Sequence, residues 1–174
     1  MNRSLPFVLM LALSGPACSQ DSSNDPSDDP ADYAVDTSVE YAIEVSEPRW
    51  VVPSDTLPVE VDSQASNNNV DIQFFDGRLF MAWRSGPHHF ANEDTQMWII
   101  SSDDGGVSWH YETMMAFGTD IREPLFLAID GKLQLIFFEL GIDPMAFEPK
   151  AMWRVWYDEP GKWSEPQLIS EQEE

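Results

Sequence analysis

From residue 64 onward the chain reads as short apolar runs rich in β-branched and aromatic residues, each bounded by turn residues. The runs predict eight strands: 70–75, 78–84, 95–101 and 109–115, followed by 124–129, 132–140, 151–157 and 163–169. Asp76-Gly77 and Asp130-Gly131 separate the first two strands of each set, and this dipeptide is a favoured two-residue hairpin turn. Leu133-Gln134-Leu135-Ile136-Phe137-Phe138 is apolar on both faces, so that strand is expected between two layers and not against water. Trp50-Val51-Val52 predicts one further strand outside the two sets.

The two sets are copies of one unit. Phe75-Asp76-Gly77-Arg78-Leu79 lies over Ile129-Asp130-Gly131-Lys132-Leu133, Met97-Trp98 over Met152-Trp153, and Trp109 over Trp163. The Asp-Gly pairs and the final tryptophans are both 54 positions apart, a period that suits one four-stranded propeller blade with a long loop. Between the third and fourth strands of the first unit stands Ser102-Asp103-Asp104-Gly105-Gly106-Val107-Ser108-Trp109. There Asp104 is placed to accept hydrogen bonds from turn amides, Gly106 supplies a backbone conformation that other residues resist, and Trp109 anchors the next strand.

Ser102, Asp104, Gly106 and Trp109 fit the Ser-x-Asp-x-Gly-x-Ser/Thr-Trp Asp box, and the chain resembles the sialidase/neuraminidase superfamily of β-propellers. In the second unit the box has decayed to Asp158-Glu159-Pro160-Gly161-Lys162-Trp163. Asn67-Asn68-Asn69 and the segments 83–90 and 120–124 also look like those of a group of bacterial sialidase-like lipoproteins. The resemblance implies an all-β fold: a partial propeller of about two four-stranded antiparallel blades over residues 64–174. It also implies that the box is structural and lies away from the active centre. A closed propeller needs at least four blades of roughly 40 to 50 residues each, so an incomplete copy is expected.

An antiparallel meander sends its turns alternately to opposite ends, which puts the Asp-Gly turns and the Asp box at one end and the irregular polar loops at the other. Loops on a rigid scaffold are where binding groups concentrate, so the end opposite the box is the expected ligand face. Cleavage of a glycoside commonly needs two carboxyl groups, and Asp71, Asp120, Glu123, Glu139, Asp143 and Glu148 are available there. Asp71 and Glu123 stand first as catalytic candidates, because they open the first strands, which line the channel of a propeller. Arg84 and Arg122 are placed to grip a carboxylate or sugar hydroxyls, with Asn69, His88 and His89 as further ligand-binding candidates. The alternative for Arg122 is pairing with Asp120 to fix the loop leading into the second unit. Adjacent histidines without a third ligand at recognisable spacing do not make a zinc motif, and no metal or cofactor is expected. Trp83, Phe90, Phe147 and Trp153 could stack on sugar rings or pack in the core.

Charge narrows the partners. Against 31 acidic residues stand 9 basic ones, a net −22 that argues against nucleic acid and anionic lipid surfaces. Residues 21–63 hold twelve of the acids and one base, Arg49, and read as a disordered acidic linker. Before it, Arg3 and the apolar run 5–13 read as a signal segment spanning residues 1–20, too short to cross a bilayer. Cys18 is the single cysteine, and its place after Ser14-Gly15-Pro16-Ala17 resembles a bacterial lipoprotein cleavage site. Lipidation there would anchor an exported protein in the cell envelope, at the outer membrane; cleavage nearby would leave it periplasmic or secreted.

Arg122-Glu123-Pro124 resembles the Arg-Ile-Pro motif whose arginine binds the sialic acid carboxylate, with Glu123 in the isoleucine position. The tyrosine nucleophile and remaining arginines of that family would come from later blades. Two functions follow from the resemblance: a sialidase-like glycoside hydrolase acting on glycans when complete, with this chain alone inactive, or a non-catalytic propeller binding carbohydrate or protein.

Overall fold

A computed structural model describes Ser38, Glu40 and residues 47–172; the expected signal segment, Cys18 and most of the acidic linker lie outside them. The described residues contain strands and no helix: β1 (Ser66–Phe75), β2 (Arg78–Gly86), β3 (Gln96–Ser102), β4 (His110–Met115), β5 (Asp120–Ile129), β6 (Lys132–Leu140), β7 (Pro149–Glu159), β8 (Lys162–Trp163) and β9 (Gln167–Glu171). The first four form one antiparallel meander in the order β1-β2-β3-β4. The rest form a second, β5-β6-β7, in which both β8 and β9 pair with β7. The fold is therefore all-β, two antiparallel blades of a partial propeller that is not closed into a ring.

Local chemistry explains the turns. Asp76 and Gly77 have φ of 47° and 74°, and Asp130 and Gly131 have 50° and 68°, the two left-handed residues that a type I′ hairpin requires. The Asp box joins β3 to β4 as expected. One Asp104 carboxylate oxygen accepts the amides of Val107 and Ser108, both at 2.9 Å, and the other accepts the Ser108 hydroxyl at 2.7 Å. The Ser102 hydroxyl donates to Asp104 at 2.8 Å and accepts the Gly106 amide at 2.7 Å. Gly106 sits at φ 84°, and a Cβ there would approach the Trp109 ring to 3.2 Å. The amide and hydroxyl of Ser108, then the Ser102 hydroxyl, hold the Asp104 carboxyl well below the usual carboxylate range.

Two expectations are corrected. No strand forms at 50–52: Pro53 and Pro58 lack backbone donors, and turns close from the Leu57 amide to Ser54 O and from the Val61 amide to Pro58 O. This stretch lays Val51, Val52, Leu57 and Val61 over Met81, Trp83, Trp98, Ile100 and Trp109 of the first blade. The last strand of the second unit is broken into β8 and β9, because the Ser164 hydroxyl accepts the Trp156 amide at 2.9 Å and Pro166 offers no donor to the ladder.

The blades pack face to back. Phe80, Ala82, Met97 and Ile99 of the first blade and Ile121, Phe126, Leu133, Leu135, Phe137 and Val155 of the second form one buried core. Directional bonds clamp both ends of this seam. At the Asp-box end Glu112, only 2% exposed, accepts from Ser101 and Arg78 of its own blade and from the Gly161 amide (2.7 Å) and Trp163 indole (3.3 Å) of the other. Midway, the Asp71 carboxylate accepts the Phe126 amide at 2.6 Å. At the open end the Thr95 hydroxyl donates to Thr119 O and accepts the Ile121 amide.

Glu112→Ala would leave Arg78, Gly161 and Trp163 short of a buried partner, a loss of about 3 kcal/mol in urea unfolding at neutral pH, with Glu112→Gln costing less. For Asp104 the folded pKa lies below the unfolded one, so its stabilisation is complete above the unfolded value and is lost as pH falls further. The stability gap between wild type and Asp104→Asn should therefore be full at neutral pH and shrink below about pH 4, as read from urea midpoints.

Candidate functional site

The open end gathers most of the sequence-predicted site residues around one buried ionic group. Arg84 near the end of β2 and Asp120 at the start of β5 are both fully buried, and the Arg84 Nε donates to Asp120 Oδ1 at 2.9 Å. The rest of the Arg84 fork reaches the carbonyls of His88, at 3.2 Å, and Phe90, at 2.9 Å. A buried guanidinium requires such saturation, since unpaired charge in low dielectric is costly. Arg84 thus orders the loop after β2 from beneath, and its donors face inward. A Cβ on Gly86 would stand 3.3 Å from the Arg84 guanidinium and 3.2 Å from the Thr95 methyl, which explains a residue without a side chain there.

The loop so held presents His88, His89 and Phe90 to solvent, the phenyl ring within 6.2 Å of both imidazoles. Arg122 is the second guanidinium of the group and donates to Asp120 Oδ2, the pairing that the sequence left as an alternative. Its side chain is 18% exposed, and its Nε is buried without a partner. Two arginines thus share one carboxylate, and the exposed Glu123 lies next to Arg122 in the chain.

Beside this group the two units repeat one irregularity. Asn69 and Glu123, 54 positions apart, both adopt left-handed backbone, φ 49° and 55°, at β-bulges in β1 and β5. The bulges bring the equivalent residues together, and Asn69 Nδ2 donates to Glu123 Oε1 at 2.7 Å. Asn68 Oδ1 and Asn69 Oδ1 are buried without a hydrogen-bond partner. Both carboxylates ranked first for catalysis are therefore engaged: Glu123 by Asn69, and Asp71 by the Phe126 amide across the seam.

No family model matches the chain, and comparison with curated proteins and with solved structures returns no match.

The remaining acids are dispersed. Glu139 accepts from the Thr119 hydroxyl (3.0 Å) and the Trp153 indole (2.8 Å), and lines an open cleft of about 610 Å³ with Phe147, Glu148 and Lys150. Asp143 caps its own turn through the Met145 amide. Trp83 is buried and donates to Asn67, whereas Phe90 and Phe147 are exposed. Among the described residues no three His, Cys, Asp or Glu side chains are grouped to hold a metal ion.

A cleft of about 880 Å³ lies at the Asp-box end, where Phe75, Tyr157 and Trp163 stand beside Lys132 and Lys162. Burial, reinforced by Glu112, pushes the Tyr157 phenol above its usual value. Asp76, Asp158 and Ser164 line the cleft as well. Sequence reasoning missed Glu112 and Thr95, whose roles depend on contacts between blades, and Arg78 and Ser101, which bond Glu112 within the first blade.

Arg84→Lys keeps the charge and removes the fork. It should cost about 2 kcal/mol and speed amide hydrogen exchange through residues 86–90 while leaving the Asp box protected.

Proposed function

We propose that the open end of the two blades is the ligand face of an exported, envelope-anchored, sialidase-like propeller protein, and that it binds carbohydrate bearing an acidic group. The observation that carries this is Arg122, a partly exposed guanidinium in a cluster where two arginines meet one carboxylate. Such a group recognises a planar anion through paired donors. The loop held by Arg84 sets imidazole donors and a phenyl ring at the same end, chemistry suited to sugar hydroxyls and a sugar face. The motif around Asp104, the repeat and the resemblance of Arg122-Glu123-Pro124 support the sialidase-like reading.

Binding stands ahead of glycoside cleavage, because Asp71 and Glu123 are both tied into bonds that hold the blades together. Cleavage needs two carboxyl groups free to exchange protons or attack at a set separation. Titration calorimetry with sialyllactose, and lactose as the neutral control, separates the readings. Sialyllactose should bind and lactose should not, Arg122→Ala should weaken binding at least tenfold, and no free sialic acid should accumulate. Equal binding of both sugars, or none, would sink the proposal; released sialic acid would favour the hydrolase.

A further inference from the structure

Each blade has a front and a back, and within the chain the back of the first meets the front of the second. The pairing Ile72–Met81–Ile100 marks the front of the first blade, and Phe75, Phe80 and Ala82 lie on its back. The repeat carries Val70 onto Pro124 and Ile72 onto Phe126. Pro124 and Phe126 are buried against the first blade, whereas Val70, Ile72 and Phe74 are 63%, 60% and 62% exposed. It likewise carries Asp71, Gln73, Phe75 and Arg84 of the covered back onto Leu125, Leu127, Ile129 and Phe138. Of these, Leu125, Ile129 and Phe138 are among the exposed apolar side chains. The two exposed faces are therefore repeats of the two faces that already mate.

We propose that a second copy of this chain seats the β1 stripe of its front on the back of the second blade, so that copies join head to tail into a closed ring. Three observations favour that occupant. The existing seam shows the geometry, with β5 as the strand that abuts β1, β2 and β3 of its neighbour. The stretch 47–63 covers the front of the first blade over β2 to β4 but leaves open β1, the equivalent of β5. The exposed back also exchanges Asp71, Gln73 and Arg84 for Leu125, Leu127 and Phe138, so its β5 strand presents a continuous apolar stripe. Contiguous apolar patches of this kind mark association surfaces. A heterologous contact whose rotation closes gives a ring, and four to eight blades correspond to roughly two to four copies.

Sedimentation velocity on the full chain should give one species at two, three or four times 19.8 kDa. Ile72→Glu and Leu125→Glu, both at exposed positions, should each give a folded monomer, checked by circular dichroism, with Ile129→Glu as a second back-face variant. Mixing the front variant with a back variant restores one intact interface and should give a one-to-one dimer. A monomeric wild type, a polydisperse aggregate, or association blocked by the back variants yet untouched by Ile72→Glu would each overturn the proposal.

Discussion

The structure depends on the seating of one sheet's front on another's back. Apolar burial drives that contact but has no direction, so a sheet could slide or rotate on its neighbour at little cost. Buried polar groups remove the freedom. Glu112 fixes the Asp-box end by joining Ser101 and Arg78 to Gly161 and Trp163, and Arg84 fixes the open end through Asp120. Each is a directional bond in low dielectric, where a shift of the sheets would strand a charge.

The same clamp builds the candidate site. Asp120 reaches Arg84 in the first blade with one oxygen and Arg122 in its own strand with the other. Arg84 then holds the carbonyls of the loop that carries His88 and Phe90. The position of the exposed groups is thus set by the seam, and a change that loosens the blades should disorder the ligand face before it unfolds either sheet. At the other end the turn closes on its own residues, Ser102, Asp104 and Ser108, and needs no neighbour.

Sequence pattern carried the fold because the fold repeats local chemistry. Two Asp-Gly turns, an Asp box and a 54-residue period put the strands of the first seven elements close to where they lie, with β6 matching at both ends. What the pattern hid were bulges and prolines. Glu112 has no partner in the β3–β4 register, which passes from Ile99–Thr113 to Ile100–Tyr111, so the bulge turns an acid inward that strict alternation does not place. Asn69 and Glu123 are turned toward each other in the same way. The apolar run at 50–52 reads as a strand, but only Val51 and Val52 pack on the sheet, Trp50 is exposed, and Pro53 and Pro58 make the stretch a cover for that sheet.

Of the candidate ligand groups, Arg84 and Arg122 were equal in the sequence, and burial separates them. Arg84 is saturated by a carboxylate and two carbonyls, while Arg122 shares that carboxylate and stays partly exposed. A chain of net charge −22 is a poor place to look for an anion site on overall charge alone. Exposed charges more than about 10 Å away are largely screened at physiological ionic strength, so the groups within that distance, the Arg122 guanidinium among them, govern what approaches the open end. The acids that crowd residues 21–63 add long-range repulsion that salt removes, whereas contact with Arg122 is short-range and partly desolvated, where its charge acts most strongly.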